Sequence, residues 1–374
     1  MTRRIGADAA SNMRGTDKSR IGVAGKPQAI KTDGEFARQI IQWQKKFGRQ
    51  DLPWQNTRDA YRIWLSEVML QQTQVATVIP YYHRFLERFP DVISLARASQ
   101  DEVLALWSGL GYYSRGRNLH KAARRVAALG AFPDSQATLA ELEGVGRSTA
   151  AAIAVFSAGK REAILDGNVK RVLARHFAIE GSPGVRAVDQ RLWDLAESLL
   201  PATGIESYTQ GLMDMGATLC LRSKPRCSDC PVRGTCEAFA MNRVADFPGK
   251  KAKKTLPHKN TVMPICLHQG KVLLIRRPEQ GIWGGMFCFP EFESVAAALS
   301  GIRQKHGYEP GKERALAPLK HGFTHFSLEI YAFVCEVQKI STRTEEPGSA
   351  WFSIKEALKA SIPTPVRKLL LQVG

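Results

Sequence analysis

Four cysteines, Cys220, Cys227, Cys230 and Cys236, lie in the single stretch CLRSKPRCSDCPVRGTC, separated by six, two and five residues. Thiols so grouped can pair as disulfides, bind zinc or wrap an iron-sulfur cluster. Disulfides need an oxidising compartment and typify small secreted domains, whereas 374 residues with 44% hydrophobic content can bury two or three ordinary cores. Structural zinc usually takes two short knuckles, and only Cys227 and Cys230 form a C-x2-C pair. A cubane cluster needs one external thiolate per iron, which one four-cysteine loop can supply, although common ferredoxin spacings differ. The spacing points to metal over disulfide and, less strongly, to a cluster over zinc. Cys266, Cys288 and Cys335 lie in apolar, strand-like runs and are expected to be buried, inert thiols.

A second stretch, LEGVGRSTAAAIAVFSAG at 142–159, sets Gly144 and Gly146 before an Ala-rich helix. Glycines there permit a tight turn whose free amides, at a helix N-terminus, can donate to a phosphate. An ordinary connection between packed helices has the same pattern. Just downstream, ILDGNVKRVLARH starts an amphipathic helix at Asp166, with Asn168 and Lys170 close by. A lone aspartate in that place is most often an N-cap.

The elements that must position these residues fall into two bodies. FARQIIQWQKKF, YRIWLSEVML, DEVLALWSGL, NLHKAARRVAAL and RLWDLAESLLP carry apolar residues at helical spacing, so residues 32–248 read as an all-α region. From residue 260 the pattern changes. TVMPICLHQGKVLLIRRP reads as two strands around a His-Gln-Gly turn, HFSLEIYAFVCEV alternates with period two, and PTPVRKLLLQV closes as a helix, which together make an α+β domain. A flexible basic tail is expected over residues 1–31 and a basic linker, GKKAKKTLPHK, over 249–259. No internal repeat is evident.

The net charge of +18 is uneven: +5 in the tail, +4 over 32–248, +5 in the linker and +4 over 260–374. Flexible basic segments hold polyanions without reading them, so the total alone favours nucleic acid only weakly over plain solubility. No apolar run has the length of a membrane span, and the first residues lack the apolar heart of a secretion signal. A soluble, reducing, cytoplasmic setting without a membrane is expected.

WLSEVMLQQTQVATVIPYYHRF, LWSGLGYYSRGRNLHKAA, LEGVGRSTA, ILDGNVKRVLAR and the four-cysteine loop occur in that order. So ordered, they resemble the MutY-type adenine DNA glycosylases, members of the helix-hairpin-helix DNA glycosylase superfamily, over roughly residues 34–374. The resemblance implies a six-helix module and a 4Fe-4S module around a catalytic cleft, followed by a MutT-like (Nudix) domain. It also implies that Cys220, Cys227, Cys230 and Cys236 hold a 4Fe-4S cluster, whose loop presents Arg222, Lys224 and Arg226 to DNA. These three cations could equally be solvated surface charges. The implied partner is double-stranded DNA containing adenine opposite 8-oxoguanine or guanine, bound by a monomer, with the nucleoid reached through that DNA.

The chemistry of adenine removal can be argued on the residues themselves. Breaking the N-glycosidic bond leaves an anionic base and an oxocarbenium sugar, so one group must supply a proton and another a negative charge. Glu67, inside W-L-S-E-V-M-L, has apolar neighbours that should raise its pKa and keep it protonated for delivery to adenine N7. Asp166, at a polar turn and a positive helix end, should stay ionised and stabilise the sugar cation, with Asn168 orienting it or sharing in water activation. The base must leave the stack to react. By the resemblance, Gln72 and Thr73 form the intercalating wedge and Tyr112 slips beside the opposing base, although a wet helix end and a core aromatic fit the same positions.

Two departures from the resemblance stand out. Glu143 occupies a hairpin position that is Pro in many relatives, and Ser148 stands where lyase-active relatives have the Schiff-base lysine. Ser148 implies monofunctional hydrolysis and argues against an endonuclease III-like bifunctional glycosylase/lyase, leaving Lys170, one turn from Asp166, only an occasional trap for the abasic sugar. Glu67 with Asp166 argues against a non-enzymatic iron-sulfur DNA-binding protein. The C-terminal domain lacks the acidic metal-binding helix of nucleotide-hydrolysing relatives, having AAALSGIRQKHGYE in its place. It is therefore read as a lesion-recognition module. Within KHGFTHFSLEI, Phe323, Thr324 and His325 resemble the family's Phe-Ser-His loop, and the Thr324 hydroxyl could read the altered N7 and C8 edge of 8-oxoguanine. A plain strand-turn-strand is the alternative.

Overall fold

A computed structural model describes residues 34–250, 255–339 and 347–373. The expected tail lies outside the described residues, as do residues 251–254 of the expected linker. The helical body opens with α1 (Glu35–Phe47), α2 (Ala60–Leu70), α3 (Val75–Arg88) and α4 (Val92–Arg97). It continues through α5 (Gln100–Trp107), α6 (Ser114–Leu129), α7 (Gln136–Leu139) and α8 (Arg147–Ala158). It closes with α9 (Gly167–His176), α10 (Arg186–Ser198), α11 (Ile205–Thr218) and α12 (Glu237–Ala240), the last preceded by 3-10 turns at Cys227–Asp229 and Arg233–Thr235. The α5 helix stops at Trp107, short of the Leu110 end that its apolar pattern suggests. Gly109 there adopts φ 104°, a conformation that breaks the helix and suits only glycine, and Tyr81 fills the space a Cβ would need.

Two hydrophobic clusters build this body. One joins α2 to α7 through Trp64, Leu65, Phe85, Leu104 and Trp107; the other joins α1 to α9, α10 and α11 through Ile40, Leu173, Leu192 and Met215. The Ala-rich α8 serves both, with Ala150, Ile153 and Ala154 in the first and Ala151 and Ala152 in the second. Small side chains on opposite faces let two helical layers approach one central helix. The cleft opens between these layers.

The C-terminal domain contains β1 (His258–His268), β2 (Lys271–Arg276), β3 (Phe287–Cys288), α13 (Val295–His306), β4 (Tyr308–Pro310), β5 (Arg314–Ala315), β6 (Leu319–Gly322), β7 (Ser327–Lys339), β8 (Ser349–Ser353), α14 (Ile354–Ala357) and α15 (Thr364–Leu370). The strand order is β3-β2-β1-β7-β4, with β5 and β6 also on β7 and β8 on β2. The β1–β7 pair is parallel, running from His258 opposite Ser327 to Leu267 opposite Glu336, and the other pairings are antiparallel. Strand alternation sorts the side chains by face. Val262, Cys266, Phe333 and Cys335 pack with Ala298 and Ile302 of α13, while Met263, Ile265, Ile330 and Ala332 join the first helical cluster together with Val366 and Leu369 of α15. One core therefore runs through both bodies. Cys266, Cys288 and Cys335 are buried, as their apolar surroundings suggest.

Polar ties reinforce this seam. Arg276 Nη1 donates to Asp101 Oδ1 at 2.6 Å, Ser108 Oγ donates to Ile362 O at 2.7 Å, and the Thr364 amide donates to the Tyr113 hydroxyl at 3.1 Å. Strand β1 starts at His258, inside the stretch that composition marks as linker. No helix among the described residues is long and apolar enough to cross a membrane.

Candidate active site

A cleft of about 1150 Å³ between the two helical layers is lined by Glu67, Gln71, Ser148, Asp166, Asn168 and Trp54, among others. The α2 helix is started by Asp59, whose side chain accepts from the Tyr61 and Arg62 amides, and is anchored by the buried faces of Ile63, Trp64, Leu65 and Val68. This presents Glu67 to the cleft. Burial pushes the Glu67 carboxyl up to about 8, and the charge of Asp166 adds to the push. Glu67 is accordingly a largely protonated acid at neutral pH, as its apolar sequence neighbours imply.

Asp166 caps α9. Its Oδ1 accepts from the Asn168 amide at 3.0 Å and the Val169 amide at 2.8 Å, and its Oδ2 accepts from Asn168 Nδ2 at 3.2 Å. The N-cap reading and the cleft-facing reading hold together. Its electrostatics differ from the expectation of a simply polar turn. Burial raises its pKa, and the Val169 and Asn168 donors oppose that rise. Three donors favour the ionised form of Asp166, so Asp166 is the carboxyl that ionises first and its charge then holds the proton on Glu67.

Asn168 is held in turn by Arg171, whose Nη2 donates to Asn168 Oδ1 at 2.9 Å and to Gly216 O at 2.6 Å, while its Nε donates to Cys220 O at 2.7 Å. The sequence reading missed Arg171. Its place one turn beyond Asn168 and Gly167 in GNVKR is the only local signal, since the Cys220 and Gly216 carbonyls that also accept from it lie far along the chain. Ser148 accepts from the Leu165 amide at 2.9 Å, tying the first turn of α8 to the segment that carries Asp166. Lys170 ion-pairs with Asp189 at 2.9 Å.

Gln72 is exposed just beyond α2 at φ 58°, and Tyr112, 43% exposed, precedes α6 at φ 47°. Tyr112 is thus a surface aromatic and not a core one. Thr73 is less free, because its hydroxyl accepts from Arg115 Nη2 at 3.0 Å. Gly144 adopts φ 78° in the hairpin and accepts from Gln71 Nε2 at 3.4 Å, and Gly146 is the N-cap residue of α8 with open space beside its Cα.

The four cysteines of 220–236 come together as partly buried thiols with no disulfide among them. Burial pushes the Cys230 thiol up to about 11, and the proximity of Cys220, Cys236 and Cys227 adds to it. Arg175 Nη1 donates to Cys220 Sγ at 3.4 Å, and Cys236 Sγ donates to Arg175 O at 3.6 Å. No three His, Cys, Asp or Glu groups among the described residues converge as a single-ion site. Four partly buried thiols on one loop, with the buried Arg175 guanidinium beside them, are the groups of this chain that would hold a metal group. Arg222, Lys224 and Arg226 are exposed, and Arg226 is paired with Asp229 at 2.6 Å.

In the C-terminal domain, Phe323 packs under the β6–β7 turn, stacked on Phe326 with ring centroids 4.4 Å apart, and its amide donates to Phe326 O at 2.9 Å. Thr324 and His325 stand exposed at the tip, with Thr324 Oγ1 3.5 Å from His325 Nδ1. Helix α13 carries no acidic residue.

Residues 65–198 match the family described as HhH-GPD superfamily base excision DNA repair protein, and residues 261–372 match the NUDIX domain. A relative from Buchnera aphidicola subsp. Acyrthosiphon pisum, described as adenine DNA glycosylase, is 38% identical over 90% of this chain and 96% of its own length. A Homo sapiens relative of the same description is 34% identical over 89% of this chain and 73% of its own length. The solved structure of a thermostable thymine-DNA glycosylase is similar with 28% identity and a TM-score of 0.50, over 55% of this chain and 96% of that one.

Proposed function

Since the chain belongs to the adenine DNA glycosylases, base-excision enzymes with a helical HhH-GPD body and a C-terminal NUDIX domain, we propose that it hydrolyses the N-glycosidic bond of adenine opposite 8-oxoguanine or guanine, without cutting the backbone. The observation that carries the reading is the pair of carboxyls in one cleft, with Glu67 pushed to about 8 by burial and by Asp166. Glu67 supplies the proton to N7, so the base leaves neutral. Asp166, ionised among its three donors, stabilises the sugar cation, and Asn168 holds the Asp166 carboxylate from the side. Water then completes the hydrolysis.

Two side chains near Asp166 support the absence of lyase chemistry. Ser148 has no amine, and its hydroxyl is engaged as an acceptor for the Leu165 amide. Lys170 is drawn toward Asp189. Exposed Gln72 and Tyr112 are the residues that fill the duplex when adenine leaves it, Gly144 and Gly146 offer amides to a phosphate, and Arg222, Lys224 and Arg226 add positive charge along the DNA. Cys220, Cys227, Cys230 and Cys236 hold a 4Fe-4S cluster, which braces the loop that presents these cations. Thr324 and His325, on the Phe323 platform, read the opposing 8-oxoguanine. The division of the chain into a body over 32–248 and a recognition domain from 260 belongs to the same proposal.

One experiment tests the reading as a whole. Duplexes with adenine opposite 8-oxoguanine, guanine or thymine are incubated with the protein, and half of each sample is treated with alkali. Excision with the first two and strand breaks only after alkali are expected. Strong breaks without alkali that persist in Lys170→Ala would overturn the monofunctional assignment.

A further inference from the structure

Gln72 and Tyr112 share an unusual backbone. Both bear side chains in the left-handed region, at φ 58° and 47°, which persists only where the surroundings hold it. A single side chain touches both of their loops. Arg115, in the first turn of α6 and 7% exposed, donates through Nη1 to the carbonyl oxygens of Val68 (2.9 Å), Met69 (2.8 Å) and Gln71 (2.6 Å). Its Nη2 donates to Thr73 Oγ1 at 3.0 Å and to Gly111 O at 3.2 Å. Gln71 and Thr73 flank Gln72, and Gly111 immediately precedes Tyr112. The guanidinium also lies over the Trp107 and Tyr112 rings, at 5.4 and 5.5 Å from their centroids.

This arrangement has a physical logic. The last-turn carbonyls of a helix lack intrahelical donors and carry partial negative charge, and α2 has no basic residue of its own in its last turn. Arg115 supplies the missing cation from another helix. Its partners are carbonyl and hydroxyl oxygens, and no carboxylate among the described residues pairs with it, so its donors remain available to span two loops. A planar fork with several fixed N–H directions can do this, whereas an ammonium acts as one point.

We propose that Arg115 is the positioning residue for base extrusion. It holds the Gln71–Thr73 and Gly111–Tyr112 loops in one register and fixes both to the end of the helix that carries Glu67, so that duplex invasion and proton delivery move as one unit. This rests on the reading of Gln72 and Tyr112 as the residues that fill the duplex. Arg115 touches no reacting atom, and its effect falls on getting adenine out of a pair, not on breaking the bond of an adenine already out.

The test compares single-turnover excision by the full chain on two duplexes: adenine opposite guanine, and adenine opposite an abasic-site analogue, where no pair has to be opened. Arg115→Lys is expected to slow the first about 10- to 100-fold, the loss of hydrogen bonds to a charged group, and to slow the second much less. A 2-aminopurine beside the target adenine should show a matching loss of the unstacking signal. If Arg115→Lys does not fold, Thr73→Val, which removes one of the Arg115 acceptors together with a 3.4 Å hydrogen bond from Thr73 Oγ1 to Gln71 O, decides the matter with the same pattern at smaller size. Equal slowing on both duplexes, or no slowing in a folded variant, overturns the proposal. Gln72→Ala and Tyr112→Ala run in parallel separate the two ideas. If these also fail to discriminate between the duplexes, the wedge reading has failed; if they discriminate and Arg115→Lys does not, only the role of Arg115 has.

Discussion

In the cleft between the helical layers, Asp166 accepts three hydrogen bonds, Asn168 is held by Arg171 and Ser148 is held by the Leu165 amide. At the tip of the β6–β7 turn, Thr324 and His325 stand exposed, with Thr324 Oγ1 3.5 Å from His325 Nδ1 and the His325 ring edge-on to Phe326 at 4.8 Å between centroids. The contrast matches the two tasks assigned to these regions. Stabilising a transition state calls for charges fixed in advance, because reorganisation during the reaction is part of the barrier. Reading a base edge calls for donors and acceptors still free to meet it, on a platform that is itself rigid, here the stacked Phe323 and Phe326.

The sharpest way to break this comparison is Asp166→Asn. Asparagine caps helices about as well as aspartate, so α9 and the thermal stability should be nearly unchanged, and duplex binding should persist. Removing the charge facing the sugar cation should lower single-turnover excision by at least about a thousandfold. Wild-type excision by this variant would show that Asp166 is only a cap.

At the recognition tip, the expected effect is smaller. Thr324→Ala combined with His325→Ala should leave excision opposite guanine intact and reduce the preference for 8-oxoguanine by roughly tenfold, the size of one polar readout. Because one hydrophobic cluster runs through both bodies, point variants test this role more cleanly than truncation near residue 259, which would expose that core. An unchanged preference in single-turnover excision would reduce Thr324 to a turn residue.

Much of the fold was legible in the chain because it rests on periodicity. The α1, α2 and α6 helices, the β1–β2 hairpin at Gln269-Gly270, the long β7 and the closing α15 follow apolar spacing that burial imposes locally. The α5 helix was read too long because Gly109 interrupts a pattern whose apolar residues continue past it. The candidate carboxyls were legible as well, one by its apolar neighbours and one by its helix-start position, but the raised pKa of Asp166 was not, since burial there comes from layers distant in sequence. Arg115, Arg171 and Arg175 were invisible for a related reason. Most of their partners are backbone oxygens brought near by tertiary packing, and no residue type or spacing marks a carbonyl that lacks a donor.

The central claim is that Glu67 delivers a proton while Asp166 stays charged, and the pH dependence of single-turnover excision on duplex with adenine opposite 8-oxoguanine tests it most directly. A raised Glu67 pKa means that the active, protonated form is fully present at lower pH and is lost as pH rises through about 8. On the acid side the rate should fall as Asp166 takes up its proton. The account predicts a level rate near neutrality that declines tenfold per pH unit well above 8, and a Glu67→Gln variant that is severely impaired and has lost this alkaline limb. A rate that stays flat from pH 7 through 10 in the wild type, or a Glu67→Gln variant with an unchanged rate, would contradict it.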